Sequence, residues 1–333
     1  MKSKLTYIIA GILLVLAGFL LGFAIREKSD PDKDYRNLFY RSYRIITPEL
    51  PERIDFAGEN VPLNFYYVKE SLEREIIANT YMQSSTVMMF RRAYRWFPLI
   101  EPILKKNNIP DDFKYLALAE SNLVNVVSPS GAEGFWQFLK PTGKKYGLEI
   151  TEEVDERYNV EKATEAACMY FLEAYDRFKN WTLVAASFNR GLEGVSTAIE
   201  KQKVSNYYDL FLVDETERYV YRILAFKQIY NHPVKYGFYL REKDFYPPVP
   251  TTTLTIDSSI KDLPGFAMKM KINYRILREL NPWIKRYSLT NMPRKVYSIK
   301  IPKEASVRSD MLRHTMPESG TFFHDTLRID QLY

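Results

Sequence analysis

Apolar side chains recur at helical spacing through the middle of the chain, as in Val68, Leu72 and Ile76 and then Phe97, Ile100 and Leu104, so the stretch from Phe65 to Asn107 predicts helices. Further helical patterns run over Glu161–Phe178, over Trp181–Asn189 stopped by Gly191, and over Glu217–Tyr230. No alternating strands separate them, which argues against a parallel sheet and predicts a mainly α domain over 63–240. The pattern changes from Arg241. A proline-rich lead, a short strand (TTTLTID), two short helices and a closing strand (KVYSIKIPK) predict a small α+β module over 241–303, followed by a loosely held tail over 304–333.

At the other end, Leu5 to Ile25 form an uncharged apolar run of 21 residues, enough to cross a hydrocarbon core of ~30 Å as a helix. Lys2 and Lys4 before it favour a cytoplasmic N-terminus. The expectation is an N-terminal transmembrane helix over 1–26, an uncleaved anchor that places the rest of the chain across the membrane. A cleaved signal peptide is the competing reading, although its apolar stretch is usually shorter and no A-x-A site follows promptly. Residues 27–62 alternate charges with Pro31, Pro48, Pro51, Gly58 and Pro62 and read as a linker with little room for a core.

Composition narrows the chemistry. Cys168 is the single cysteine, which excludes an internal disulfide, and its apolar neighbours predict a buried thiol. The three histidines, His232, His314 and His324, are scattered, so no metal site, no cofactor and no Cys/His or Ser-His-Asp chemistry is expected. The net charge of +6 is concentrated at the C-terminal end, with 16 basic against 10 acidic residues over 241–333. Such an excess suits an anionic polymer or lipid surface, or simply a solvated face. In the centre bases and acids balance, and no nucleic-acid-binding module is present.

One carboxylate is misplaced. A helix predicted from near Pro110, with Asp111 and Asp112 at the positive end of its dipole, puts Phe113, Leu116, Ala117 and Glu120 on one face. An acid on an apolar stripe is either paired or driven toward its protonated form, the form a general acid needs. Capping of the helix end, or an arginine partner, is the bland alternative. Past Ser121 comes a small-residue loop through Ser128, Pro129, Gly131 and Gly134, ending in Trp136 and Gln137. The indole could cover a sugar's apolar face while the amide bonds its hydroxyl or acetamido groups.

These residues resemble a known family. Glu120-Ser121, Ser128-Pro129-x-Gly131-Ala132-x-Gly134-Phe135-Trp136-Gln137, Thr142-Gly143-x-x-Tyr146-Gly147-Leu148, Ala186-Ser187-Phe188-Asn189-x-Gly191 and Glu215-Thr216-x-x-Tyr219-Val220 follow the motif order of the lytic transglycosylases of the soluble-transglycosylase type. That family shares a fold with goose-type lysozyme, and the likeness is strongest to its membrane-bound, LysM-bearing branch. The resemblance implies a lysozyme-like helical catalytic domain. It implies peptidoglycan glycan strands as substrate, and cleavage of the MurNAc-β-1,4-GlcNAc bond without water to leave 1,6-anhydro ends. Glu120 would be the sole acid and then base. It further implies that Ser128 positions the acetamido group, that Gln137 bonds the sugar, that Asn189 helps hold the cleft, and that Glu215 and Tyr219 lie beside the muramoyl subsite.

The chain departs from the family at Phe188, where a tyrosine is usual, removing one hydrogen-bond donor expected near Glu120. Either another tyrosine, Tyr219 among them, supplies that donor, or the chain binds glycan more than it cuts. Glu133, the one further acid in the loop, reads as a solvated side chain; pointed at the cleft, it would favour hydrolysis. The 241–303 module resembles a diverged LysM domain, with Leu280-Asn281-Pro282-Trp283 and Ile299-Lys300-Ile301-Pro302 but without the Gly-Asp turn usual near its start, and suits either glycan binding or a structural role. The resemblance implies an enzyme of the bacterial cell envelope, anchored in the inner membrane with its folded part in the periplasm. A hydrolytic muramidase and a non-catalytic wall-binding protein stand as the alternative functions.

Overall fold

The computed structural model describes residues 31–42 and 45–303, so the predicted membrane-spanning run and the tail lie outside the described residues. Pro31–Ser42 form helix α1, inside the stretch expected to be linker. It belongs to a compact unit separate from the one that begins at Pro48. Among the described residues no helix is long and apolar enough to cross a membrane.

The larger unit opens with a hairpin of two short strands, β1 (Asp55–Phe56) and β2 (Glu59–Asn60). Here the linker expectation is corrected. Ile54, Phe56 and Val61 are buried, and the Phe56 ring sits 5.2 Å from that of Phe113, because an apolar triad among the charges is enough to seat the hairpin on the helical core. Lys227 draws it in further, donating to Asp55 at 3.1 Å and to Asp112 at 2.7 Å.

Helices follow in the predicted order: α2 (Tyr66–Tyr81), α3 (Gln83–Lys106), α4 (Lys114–Ser121), α5 (Lys140–Lys145), α6 (Val160–Phe178), α7 (Trp181–Arg190), α8 (Leu192–Gln202) and α9 (Asp214–Asn231). The periodic pattern foresaw each long helix but not α8, whose buried face is only Val195 and Ala198. Pro110 does not begin an α-helix directly. A 3-10 turn over Asp111–Phe113 leads into α4 with both acids in its first turn, and Asp112 also accepts from Lys227 and the Ala57 N–H. The core is built from one face each of α2, α3, α4, α6, α7 and α9, with Leu72, Phe97, Leu116, Phe171, Val184 and Ile223 buried. Cys168 lies there too, and burial pushes its thiol up to about 12, the inert state its neighbours predicted.

Strand β3 (Thr251–Ile256), helices α10 (Leu263–Lys269) and α11 (Tyr274–Leu280) and strand β4 (Tyr297–Pro302) give the strand–helix–helix–strand order read from the sequence. The two strands pair antiparallel from Thr251 opposite Pro302 to Ile256 opposite Tyr297. Its small core takes in two residues from the helical part, Val154 and Tyr158, which pack with Leu263, Trp283 and Ile284. Around that seam the Asp155 N–H donates to the Trp283 carbonyl at 2.8 Å, and the Lys285 ammonium sits 3.7 Å over the Tyr158 ring.

Candidate active site

Helix α4 ends one residue after Glu120, where Asn122 adopts the left-handed conformation with φ 50° that asparagine tolerates at a helix C-terminus. Ser121 explains the pairing of Glu with Ser. Its hydroxyl donates to the Phe135 carbonyl at 2.8 Å, tying the helix end to the loop that carries Trp136 and Gln137. Glu120 therefore stands at a fixed corner between α4 and that loop. As the stripe predicted, Phe113, Leu116 and Ala117 are fully buried on its face.

Opposite lies α9. The Tyr219 hydroxyl donates to Glu120 Oε1 at 2.6 Å, and its ring is buried. Desolvation is the largest influence on Glu120 and raises its carboxyl to about 7. The Tyr219 hydrogen bond and the Arg222 charge pull the other way, while the Glu215 charge pushes up. A carboxylic acid that still holds its proton near neutrality, yet gains a donor for its ionised form, can both give and retake a proton. Burial and the negative charge of Glu120 also hold the Tyr219 phenol well above its ordinary value, so it stays a donor.

Glu215 is exposed on the first turn of α9, one turn before Tyr219. Asn189, at the end of α7, accepts from the Thr216 hydroxyl at 2.9 Å and so couples the two motifs. The Phe188 ring packs among Trp136, Phe138, Tyr170 and Phe171 with centroids 5.1 to 6.1 Å away, and the donor to Glu120 is Tyr219. Arg222 was missed in the sequence, although it continues the stripe of Glu215 and Tyr219 at helical spacing.

The loop over 126–138 corrects two expectations. Trp136 is fully buried and its indole N–H donates to the Thr164 hydroxyl at 2.9 Å, so its ring holds the loop from below and cannot stack on a sugar. Glu133 is not a solvated side chain. Its carboxylate lies 2.9 Å from Arg157 Nη2, and that guanidinium also grips Asp155 through Nε and Nη2 and reaches the Gly131 and Phe138 carbonyls through Nη1. The acid is thus drawn into an ion-pair network beneath the loop.

Ser128 and Gln137 shape the same loop. The Ser128 hydroxyl accepts from the Ala132 N–H at 3.0 Å, and the Gln137 amide nitrogen donates to the Val126 and Gly134 carbonyls at 3.0 and 2.8 Å. Gly134 has φ +83°, and a Cβ there would overlap the Arg157 carbonyl oxygen. Only glycine lets the two backbones come so close.

Residues 98–211 match the family model described as transglycosylase SLT domain, and residues 252–305 match the soluble lytic transglycosylase C-terminal LysM-like domain. Two curated relatives, the membrane-bound lytic murein transglycosylase D of Escherichia coli K12 and that of Escherichia coli O6:H1, are each 29% identical over 183 residues, which is 53% of this chain and 40% of the relative. The chain thus matches about two fifths of the length of these relatives. Tyr219 and Glu215 lie just beyond the first matched stretch, and the fold brings them to Glu120. The motifs and the helical fold accompany a match to the transglycosylase SLT domain over about a third of the chain, followed by a match to a LysM-like domain.

Proposed function

We propose that the protein is a peptidoglycan lytic transglycosylase that cleaves the MurNAc-β-1,4-GlcNAc bond with Glu120 as acid and then base. Supporting this reading above all is the Glu120–Tyr219 pair, an acid held protonated up to about neutral pH beside a buried phenol donor. Protonated Glu120 donates to the glycosidic oxygen as the C1–O4 bond breaks. The substrate's own acetamido group stabilises the oxocarbenium-like centre. Glu120, now a carboxylate, takes the proton of the muramoyl C6 hydroxyl while O6 bonds to C1. Net proton flow is from O6 to the departing O4, and no water is consumed.

Hydrolysis by two carboxylates is less well supported. The loop acid that would serve, Glu133, is held by Arg157. Ser128, Gln137, Asn189 and Glu215 complete the reading as groups that shape the cleft around the sugar. On this view the apolar run over 5–25 anchors the enzyme to the inner membrane with its folded part in the periplasm, and the LysM-like module binds the same glycan.

Mass spectrometry of purified peptidoglycan digested by the protein tests the proposal, because anhydro and reducing ends differ by the mass of one water. Anhydro-muropeptides are expected. Reducing ends would assign a hydrolase, and an undigested wall that still pellets the protein would assign a binding scaffold.

A further inference from the structure

Glu75 on α2 is 1% exposed and the reaction above makes no use of it. A carboxylate that deep needs cations. It accepts from Arg218 Nε at 2.6 Å, while Arg222 Nε lies 3.7 Å and Arg74 Nε 3.6 Å from its oxygens. Arg218 and Arg222 are one turn apart on α9 and flank Tyr219. Arg222 is also the cation within Coulomb reach of Glu120, so one guanidinium is shared between a buried structural acid and the acid of the site.

We propose that Glu75 is a positioning residue of the reaction: it holds Arg222 in an ion pair and cancels much of its charge, so that the guanidinium does not strip Glu120 of its proton. The proposal rests on reading Glu120 as the proton donor. A bare cation within ~4–6 Å of a carboxyl favours the ionised form by about 1–3 pH units, enough to disarm an acid poised at neutrality. Among the described residues, the groups facing Glu120 are Tyr219, Arg222 and Glu215 from α9, while Arg92 from α3 reaches the Asn122 carbonyl two positions further on. Around Glu75 stand Arg74, Arg218 and Arg222, with Asp214 at the outer edge near the first two of these.

Three variants test it: Glu75→Gln, Arg222→Met and the double variant. Two readouts apply, the pH profile of anhydro-product release and a carbon-13 NMR titration of the Glu120 carboxyl, assigned against Glu120→Gln. In Glu75→Gln the midpoint at which activity is lost with rising pH falls by about one unit. In Arg222→Met it rises, and the double variant returns to near the wild-type midpoint. A purely structural Glu75 would lower the rate at every pH and leave the midpoint in place, and that outcome, or a double variant that stays where Glu75→Gln lies, overturns the proposal. Should Glu75→Gln not fold, an unmoved midpoint in Arg222→Met does the same. Because the titration needs no turnover, a wild-type enzyme that releases no anhydro product would sink the functional reading while the NMR midpoints still decide this one.

Discussion

The Tyr219 hydroxyl and Glu120 are ninety-nine residues apart in sequence and 2.6 Å apart in space. That contact closes α4 against α9 and ties the acid's proton affinity to the packing of two helices rather than to the loop beside it.

With its carboxyl raised to about 7, Glu120 is protonated in mild acid and loses its proton as the medium turns alkaline. Activity should be flat below neutrality and fall through about pH 7. Glu120→Gln should lower turnover by about 10²–10⁴-fold, the usual worth of a general acid, while leaving wall pelleting intact. Muropeptide release across a buffer series measures both.

The same group sets a stability slope. Its value in the fold lies above the 4.5 of an ordinary glutamate, so its contribution is fully present below about pH 4.5 and is lost as pH rises through about 7. Gln carries no such penalty. At about pH 8, Glu120→Gln should melt higher than wild type by the equivalent of ~1–3 kcal/mol, and near pH 4 the two should coincide. Equal melting temperatures at both pH values would contradict the placement of this acid.

Tyr219→Phe removes a donor that favours the ionised carboxyl. The rate should fall about tenfold, in line with ~1–1.5 kcal/mol for one hydrogen bond, and the alkaline limb should move to higher pH. A limb that moves down instead would show that the phenol acts otherwise.

Phe188→Tyr restores the residue usual in the family. Since Tyr219 already bonds Glu120 and the Phe188 ring is packed among four aromatics, the change should alter the rate by less than about threefold, worth ~0.5 kcal/mol. A gain of tenfold or more in initial rates would mean that the missing hydroxyl limits the proposed reaction.

Gly134→Ala should destabilise the fold by about 2–4 kcal/mol, since it combines a left-handed backbone with overlap on the Arg157 carbonyl. Urea midpoints report the loss, and an unchanged midpoint would mean that the loop can shift away from that carbonyl.

Periodicity carried most of the fold and one part of the site. Glu120 stood out because it interrupts an apolar stripe, and Glu75 carries the same mark between Leu72 and Ile76, where it went unread. Trp136 was misread for a physical reason: an aromatic beside an amide looks alike whether it faces a sugar or a threonine hydroxyl, and only the fold decides. Glu133 misled likewise, since its partner Arg157 lies 24 positions away across a loop and a short helix. The buried hairpin around Phe56 was hidden because three apolar residues among charges make too short a pattern to register.

Val154 and Tyr158 belong by sequence to the helical domain and by packing to the module behind it. The two halves therefore share a wall, as adjoining rooms do, and the chain cannot be trimmed near residue 250 without laying that wall open to water. Under the proposed function, a glycan strand bound by the module would be held on the same compact unit as Glu120 rather than on a tether.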